Sequence, residues 1–187
     1  MKKSVLLFTA ACALLTGCKH LHPSSKVEGP LKPHLGEAKF DVQPLFPNER
    51  FGNVVVTTKG TIIATWGTSH VRAKRSEDGG NTWGPEIVIA KPGFQPGGLT
   101  VNETNGDIIA FVEDRHPPAP IHIYVSSDDG KTWNKTETNI KPDSKGNDPS
   151  MHMNEHGITL RHGKHKGRLI RPSRWYAGQN HSSKWPQ

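Results

Sequence analysis

One eight-residue pattern, Ser-x-Asp-x-Gly-x-Thr-Trp, occurs twice in this chain. It reads SEDGGNTW from Ser76 to Trp83 and SSDDGKTW from Ser126 to Trp133, so that Ser126 lies 50 positions after Ser76. Five fixed residue types recurring at that distance mark an internal repeat, and the period is that of one four-stranded β-propeller blade. Each copy reads as a hairpin turn. Gly80 and Gly130 supply the positive φ that a tight turn demands. Asp78 and Asp128 are placed to accept bonds from backbone N–H groups two residues on. Ser76 and Ser126 add a second side-chain acceptor, and Trp83 and Trp133 offer a large apolar face to the sheet. These are structural tasks; no residue of the pattern reads as a nucleophile or a metal ligand. A calcium loop is excluded, because its carboxylates at positions 1, 3, 5 and 12 are missing.

Strand-forming segments surround the two boxes. Runs near 53–57, 61–66, 70–76 and 86–89 predict a first four-stranded unit, with a hairpin at Lys59-Gly60 between two β-branched stretches. Runs near 99–102, 107–113, 121–127 and 135–139 predict a second, with Asn105-Gly106 as the matching turn. A third unit opens at Gly157-Ile158-Thr159-Leu160, turns between Gly163 and Gly167, and returns through Arg168-Leu169-Ile170-Arg171. The fold class expected is all-β, a propeller of which about two and a half blades are present. Propellers close with 4–8 blades, so the expectation is an N-terminal portion of a longer ring, or half-rings completed by another chain.

The repeated pattern resembles the Asp box of the sialidases (neuraminidases) and related β-propeller proteins. The resemblance covers roughly residues 44–172. It is specific for fold and weak for function, because Asp boxes also occur in lyases, lectin-like proteins and sorting receptors. Two further stretches resemble sialidases in particular. His156-Gly157-Ile158-Thr159-Leu160 followed by Gly167-Arg168-Leu169-Ile170-Arg171-Pro172 is similar to the family's Gly-Ile-x-Leu…Gly-x-Leu-Val-x-Pro. The run from Arg50 through Gly60-Thr61 is similar to the family's first strand, with Phe51-Gly52 in place of Ile-Pro. The resemblance therefore implies a six-bladed ring. It also implies that Arg50 is the first of three arginines gripping a sialic acid carboxylate, a bidentate task suited to a guanidinium fork. Read by itself, Arg50 is equally a surface arginine beside Glu49.

The family's general acid is an aspartate on the loop before the first Asp box. Here that loop, Gly67 to Arg75, holds no carboxylate, and His70 is its only group able to move a proton near neutral pH. His70 is thus a candidate catalytic residue, with a structural or solvent-exposed role as the plainer reading. A histidine at this place also suits a propeller polysaccharide lyase, which abstracts the proton α to a uronate carboxylate. Asp114 and Arg115, with His116, end the second strand of the second unit, at a rim where such folds hold substrate. Glu113 and Asp114 both offer a carboxylate there, and the sequence does not fix which one points inward. Trp175 and Tyr176 could stack on a sugar or pack in the core. His152, His156, His162 and His165 do not form a known zinc set, so no metal or other cofactor is expected. The tyrosine–glutamate nucleophile pair and the other two arginines belong to the family's C-terminal half, beyond the matching region.

The formal charge is +7, and Arg161, Lys164, Lys166, Arg168, Arg171 and Arg174 fall in one stretch free of Asp and Glu. Such a run is a solvated face or an attractor of an acidic glycan. Nucleic acid is disfavoured by the lack of any nucleic-acid motif. Met1-Lys2-Lys3, the apolar run Val5–Leu15 and Thr16-Gly17-Cys18 read as an export signal. The stretch Leu15-Thr16-Gly17-Cys18 resembles a bacterial lipoprotein box, which implies cleavage before a lipid-modified Cys18. The organisation expected is a signal at 1–18, a Pro- and Ser-containing tether at 19–43, and a partial propeller at 44–187, exported and held at the cell envelope by its lipid or else secreted. Cys12 lies in the signal, so a mature chain would keep one cysteine and form no internal disulfide. The activity implied is removal of terminal sialic acid from glycoconjugates; alternatives are a uronate lyase and a non-catalytic glycan-binding module.

Overall fold

The computed structural model of the protein describes residues 42–47, 52–94, 96–152 and 155–175. The expected signal, Cys18, nearly all of the tether, Arg50 and Tyr176 lie outside the described residues. Within them all regular structure is β, in ten strands: β1 (Asn53–Val56), β2 (Ile62–Trp66), β3 (Val71–Ser76), β4 (Ile87–Ala90), β5 (Thr100–Val101), β6 (Ile108–Glu113), β7 (Ile121–Ser126), β8 (Asn134–Thr136), β9 (Ile158–Thr159) and β10 (Leu169–Ile170). No helix among them is long and apolar enough to cross a membrane.

The strands form two four-stranded antiparallel meanders, β1-β2-β3-β4 and β5-β6-β7-β8, followed by the hairpin β9-β10. The first strands of the second and third units run parallel, joined by a bridge between Thr100 and Gly157. Their seam is also tied by Thr159, whose hydroxyl donates to the Val101 carbonyl at 2.9 Å and accepts from the Glu103 N–H at 3.0 Å. Successive meanders with parallel first strands are the arrangement of propeller blades, so the chain is a partial β-propeller.

Period-2 alternation decides what lies between the blades. Val55, Ile63, Val71, Ala73 and Ile89 of the first blade and Leu99, Ile108, Ala110 and Val112 of the second form one buried cluster, with Tyr124 and Trp133 packed on it. The opposite face of the first blade is partly covered by the segment before it. Phe46 stacks on Trp66 with ring centroids 4.1 Å apart, and Lys74 donates to the Leu45 carbonyl at 3.0 Å.

The Asp boxes are the β3–β4 and β7–β8 turns. In each, the serine hydroxyl donates to the aspartate (Ser76 to Asp78 and Ser126 to Asp128, both 2.8 Å) and accepts from the glycine N–H (Gly80 and Gly130, both 2.8 Å). The aspartates accept from threonines four residues on, through both N–H (2.9 Å) and hydroxyl (2.6 Å) of Thr82 and Thr132. This differs from the expected bond two residues on: two consecutive residues with positive φ, Gly79-Gly80 or Asp129-Gly130, curl the chain so that the fourth residue comes within reach. The second box also docks on the first blade. Asp129 accepts from the Thr61 hydroxyl at 2.6 Å and from the Arg75 guanidinium at 2.9 Å.

Candidate functional site

Antiparallel meanders put alternate connections at opposite ends of the sheets. The boxes and the β1–β2, β5–β6 and β9–β10 turns share one end. The β2–β3 loop, the β4–β5 connection, the β6–β7 loop, the β8–β9 connection and the chain after β10 share the other. His70, Asp114, Arg115 and Trp175 therefore all lie at the end away from the boxes. Hydrogen bonds join these connections into one surface. The Gly93 N–H donates to the Ser69 carbonyl at 3.1 Å, the Phe94 N–H to the Glu113 carbonyl at 2.8 Å, and Ser150 and Arg174 exchange a pair of backbone bonds.

A cleft of about 820 Å³ opens at this end between the second blade and the chain of the third. Glu113, Arg115, Asn139, Asp148, Ser150 and Trp175 are among its lining residues. The structure thus brings together Arg115 and Trp175. The Trp175 ring is half exposed, at 52%, rather than packed in the core. Asp114 does not line the cleft; it accepts from the Arg115 guanidinium at 2.9 Å. His70 is apart from the cleft too, and its Nδ1 lies 3.0 Å from the Ser69 hydroxyl.

Of the adjacent acids 113 and 114 the one that lines the cleft is Glu113, which is only 2% exposed. It sits on the same face of β6 as Phe111, the face turned toward the third unit, where the Arg171 guanidinium lies 4.8 Å over the Phe111 ring. Burial pushes the Glu113 carboxyl up to about 7, against the pull of the Ser150 hydroxyl, the Met151 and His152 N–H groups and the Arg174 charge. Its Oε1 makes no hydrogen bond among the described residues. Residue order at 113 and 114 could not choose between these two acids. The choice follows from β6 running through Glu113, paired opposite Ile121, so that Asp114 falls on the loop beyond the strand. The signal available in the sequence was parity with Ile109 and Phe111.

Beside Glu113 lies an aromatic group. Phe94 stacks on His152 at 5.3 Å, and His116 tilts against His152 at 5.2 Å. Deeper in the seam, Arg171 donates to the Gly98 carbonyl and the Met151 sulfur, and desolvation pulls its guanidinium down to about 10. The basic run splits accordingly. Arg171 is a partly buried strut, whereas Arg161 is exposed and paired bidentately with Glu103 at 2.7 and 2.8 Å. Among the described residues no group of three or more His, Cys, Asp or Glu side chains is placed to hold a metal ion.

A cleft at the loop end of Asp-box blades defines an Asp-box β-propeller protein. No protein-family profile matches the chain. The chain is 30% identical, over 190 aligned positions taking in 79% of its length, to a sialidase of Micromonospora viridifaciens. It spans 29% of the length of that relative. Among solved structures, the Hadza microbial sialidase Hz136 superposes on 60% of the chain and 30% of its own, with a TM-score of 0.48 and 19% identity. The α-L-arabinofuranosidase of Fusarium graminearum superposes on 48% of the chain and 31% of its own, with a TM-score of 0.36 and 20% identity. The chain belongs to a sialidase-like family.

Proposed function

We propose that the protein is a sialidase-type glycoside hydrolase that removes terminal sialic acid from glycoconjugates. The observation that carries this is the likeness to the Micromonospora sialidase over 79% of the chain. The cleft supports it with an arginine for a carboxylate, an exposed indole for a sugar face and a buried carboxyl for proton transfer. In this reading Arg50 grips the carboxylate of the substrate. The natural protein is assayed on a sialoside for free sialic acid, and on a uronate polysaccharide for the ultraviolet-absorbing unsaturated product of β-elimination. Free sialic acid without unsaturated product supports hydrolysis. The converse result would make the protein a lyase, with His70 as its base. Binding of a sialoside without turnover would make it a glycan-binding module.

The same proposal places the protein outside the cytoplasm on a lipid carried by Cys18. One acyl chain holds a membrane only marginally, whereas the several chains of a lipoprotein hold it firmly. Cys18→Ser should move the protein from the membrane fraction to the soluble one; unchanged fractionation refutes the anchor.

A further inference from the structure

We propose that Glu113 is the proton donor of this site, taking the task for which the β2–β3 loop offers no carboxylate. The inference rests on the hydrolase reading above. Glu113 lines the cleft, is 2% exposed, and has an Oε1 with no hydrogen-bond partner among the described residues. An oxygen buried in that way is costly unless something occupies it, and a glycosidic oxygen is an acceptor for the proton it would carry. The Ser150 hydroxyl and the Met151 and His152 N–H groups hold the carboxyl in place. Trp175 and Arg115, which also line the cleft, offer a stacking face and a cation to a sugar acid.

The carboxyl O–H of Glu113 breaks and its proton passes to the glycosidic oxygen. The bond from that oxygen to the anomeric carbon breaks, its electron pair staying with the departing oxygen, and the aglycone leaves as an alcohol. Water then adds to the anomeric carbon and returns a proton to the Glu113 carboxylate, so the net reaction is hydrolysis. The titratable and charged groups around the donor are Arg115 and Asp148 on the cleft wall, Asp114 and His116 on the β6–β7 loop, His152 in the segment that holds the carboxyl, Arg174 whose charge acts on it, and Arg171 over Phe111. A carboxyl held near 7 in this setting is protonated in part at neutral pH, as a general acid must be.

The test is Glu113→Gln in the natural protein, compared with wild type on two sialosides. One carries a poor leaving group (sialyllactose) and the other a good one (4-nitrophenyl sialoside). The expected result is a loss of roughly 100- to 10,000-fold in kcat on sialyllactose, the usual worth of a general acid. A much smaller loss is expected on the nitrophenyl compound, whose aglycone needs no proton. The fall of wild-type activity as pH rises through about 7 should vanish from the residual activity of the variant. Glutamine keeps an acceptor for Ser150, Met151 and His152, so a purely structural role would lower both substrates together or neither. Equal losses, or an unchanged pH profile, overturn the assignment while leaving the hydrolase reading intact. Wild-type protein that turns over neither sialoside overturns both.

Discussion

Glu113 and Asp114 are adjacent carboxylates with opposite fates. Asp114 is half-buried on a loop beside Arg115, whereas Glu113 ends a strand and turns into the blade seam. The sequence showed both acids at a rim; parity with Ile109 and Phe111 was a signal for the face of Glu113, but its burial depends on where the segment Ser150–His152 returns across the blade. That return is a long-range contact with no local pattern. Arg115 was placed at a rim because it follows a strand end in an antiparallel meander, whereas Trp175 was read as either a stacking face or a core residue. The Glu113 assignment carries a stability consequence of definite sign. Its folded value lies near 7 and its ordinary value near 4.5. The folded state therefore holds the proton more tightly than the unfolded state, and stability is lost as pH rises from about 4.5 through about 7. Glu113→Gln should accordingly raise the melting temperature at pH 8 by several degrees while changing it little at pH 5. An equal shift at both pH values contradicts a buried carboxyl of raised pKa.

The Asp box is a self-contained turn whose bonds repeat almost distance for distance in the two blades. This is why it was legible from eight residues. The docking of the second box on the first blade was not, because it depends on Asp129, which occupies the position of Gly79 in the first box and meets Arg75 and Thr61 of another blade. Gly130 is the tightest point of that dock. Its φ is 81°, and a Cβ there would lie 2.5 Å from the Ile63 Cδ1, whereas Gly146, also at 81°, has nothing within 4 Å. Gly146→Ala should cost only the left-handed strain of about 1–2 kcal/mol. Gly130→Ala should cost more, and urea denaturation of the two variants measures the difference; equal costs would mean that Ile63 yields freely. The boxes also set the acid limit. Hydrogen bonds from Thr82 and Ser76 hold Asp78 down at about 2; at Asp128 desolvation is the largest single effect and opposes, but the bonds from Thr132, Ser126 and Lys131 together bring it to about 2 as well. These depressed carboxylates contribute stability above about 3.8, lost as pH falls through about 2. In Asp78→Asn/Asp128→Asn the decline of melting temperature between those values should flatten, and a slope identical to wild type would sink this account.

Among the described residues, the interior between the first two blades is packed, whereas Val54, Val56 and Val88 of the first blade and Ile158 and Ile170 of the third unit are exposed. Repeat spacing made this architecture readable, since each blade needs a neighbour to cover it. The claim that ties blades, cleft and likeness together is that this is a sialoside hydrolase whose substrate carboxylate is held by Arg50. The most direct measurement is release of free sialic acid from sialyllactose by the natural protein and by its Arg50→Ala variant. Losing a charge-assisted bidentate bond costs about 1.5–3 kcal/mol, so wild type should release sialic acid and the variant should fall by about tenfold to a hundredfold in kcat/KM. Wild-type protein that releases none, or a variant as active as wild type, would contradict it.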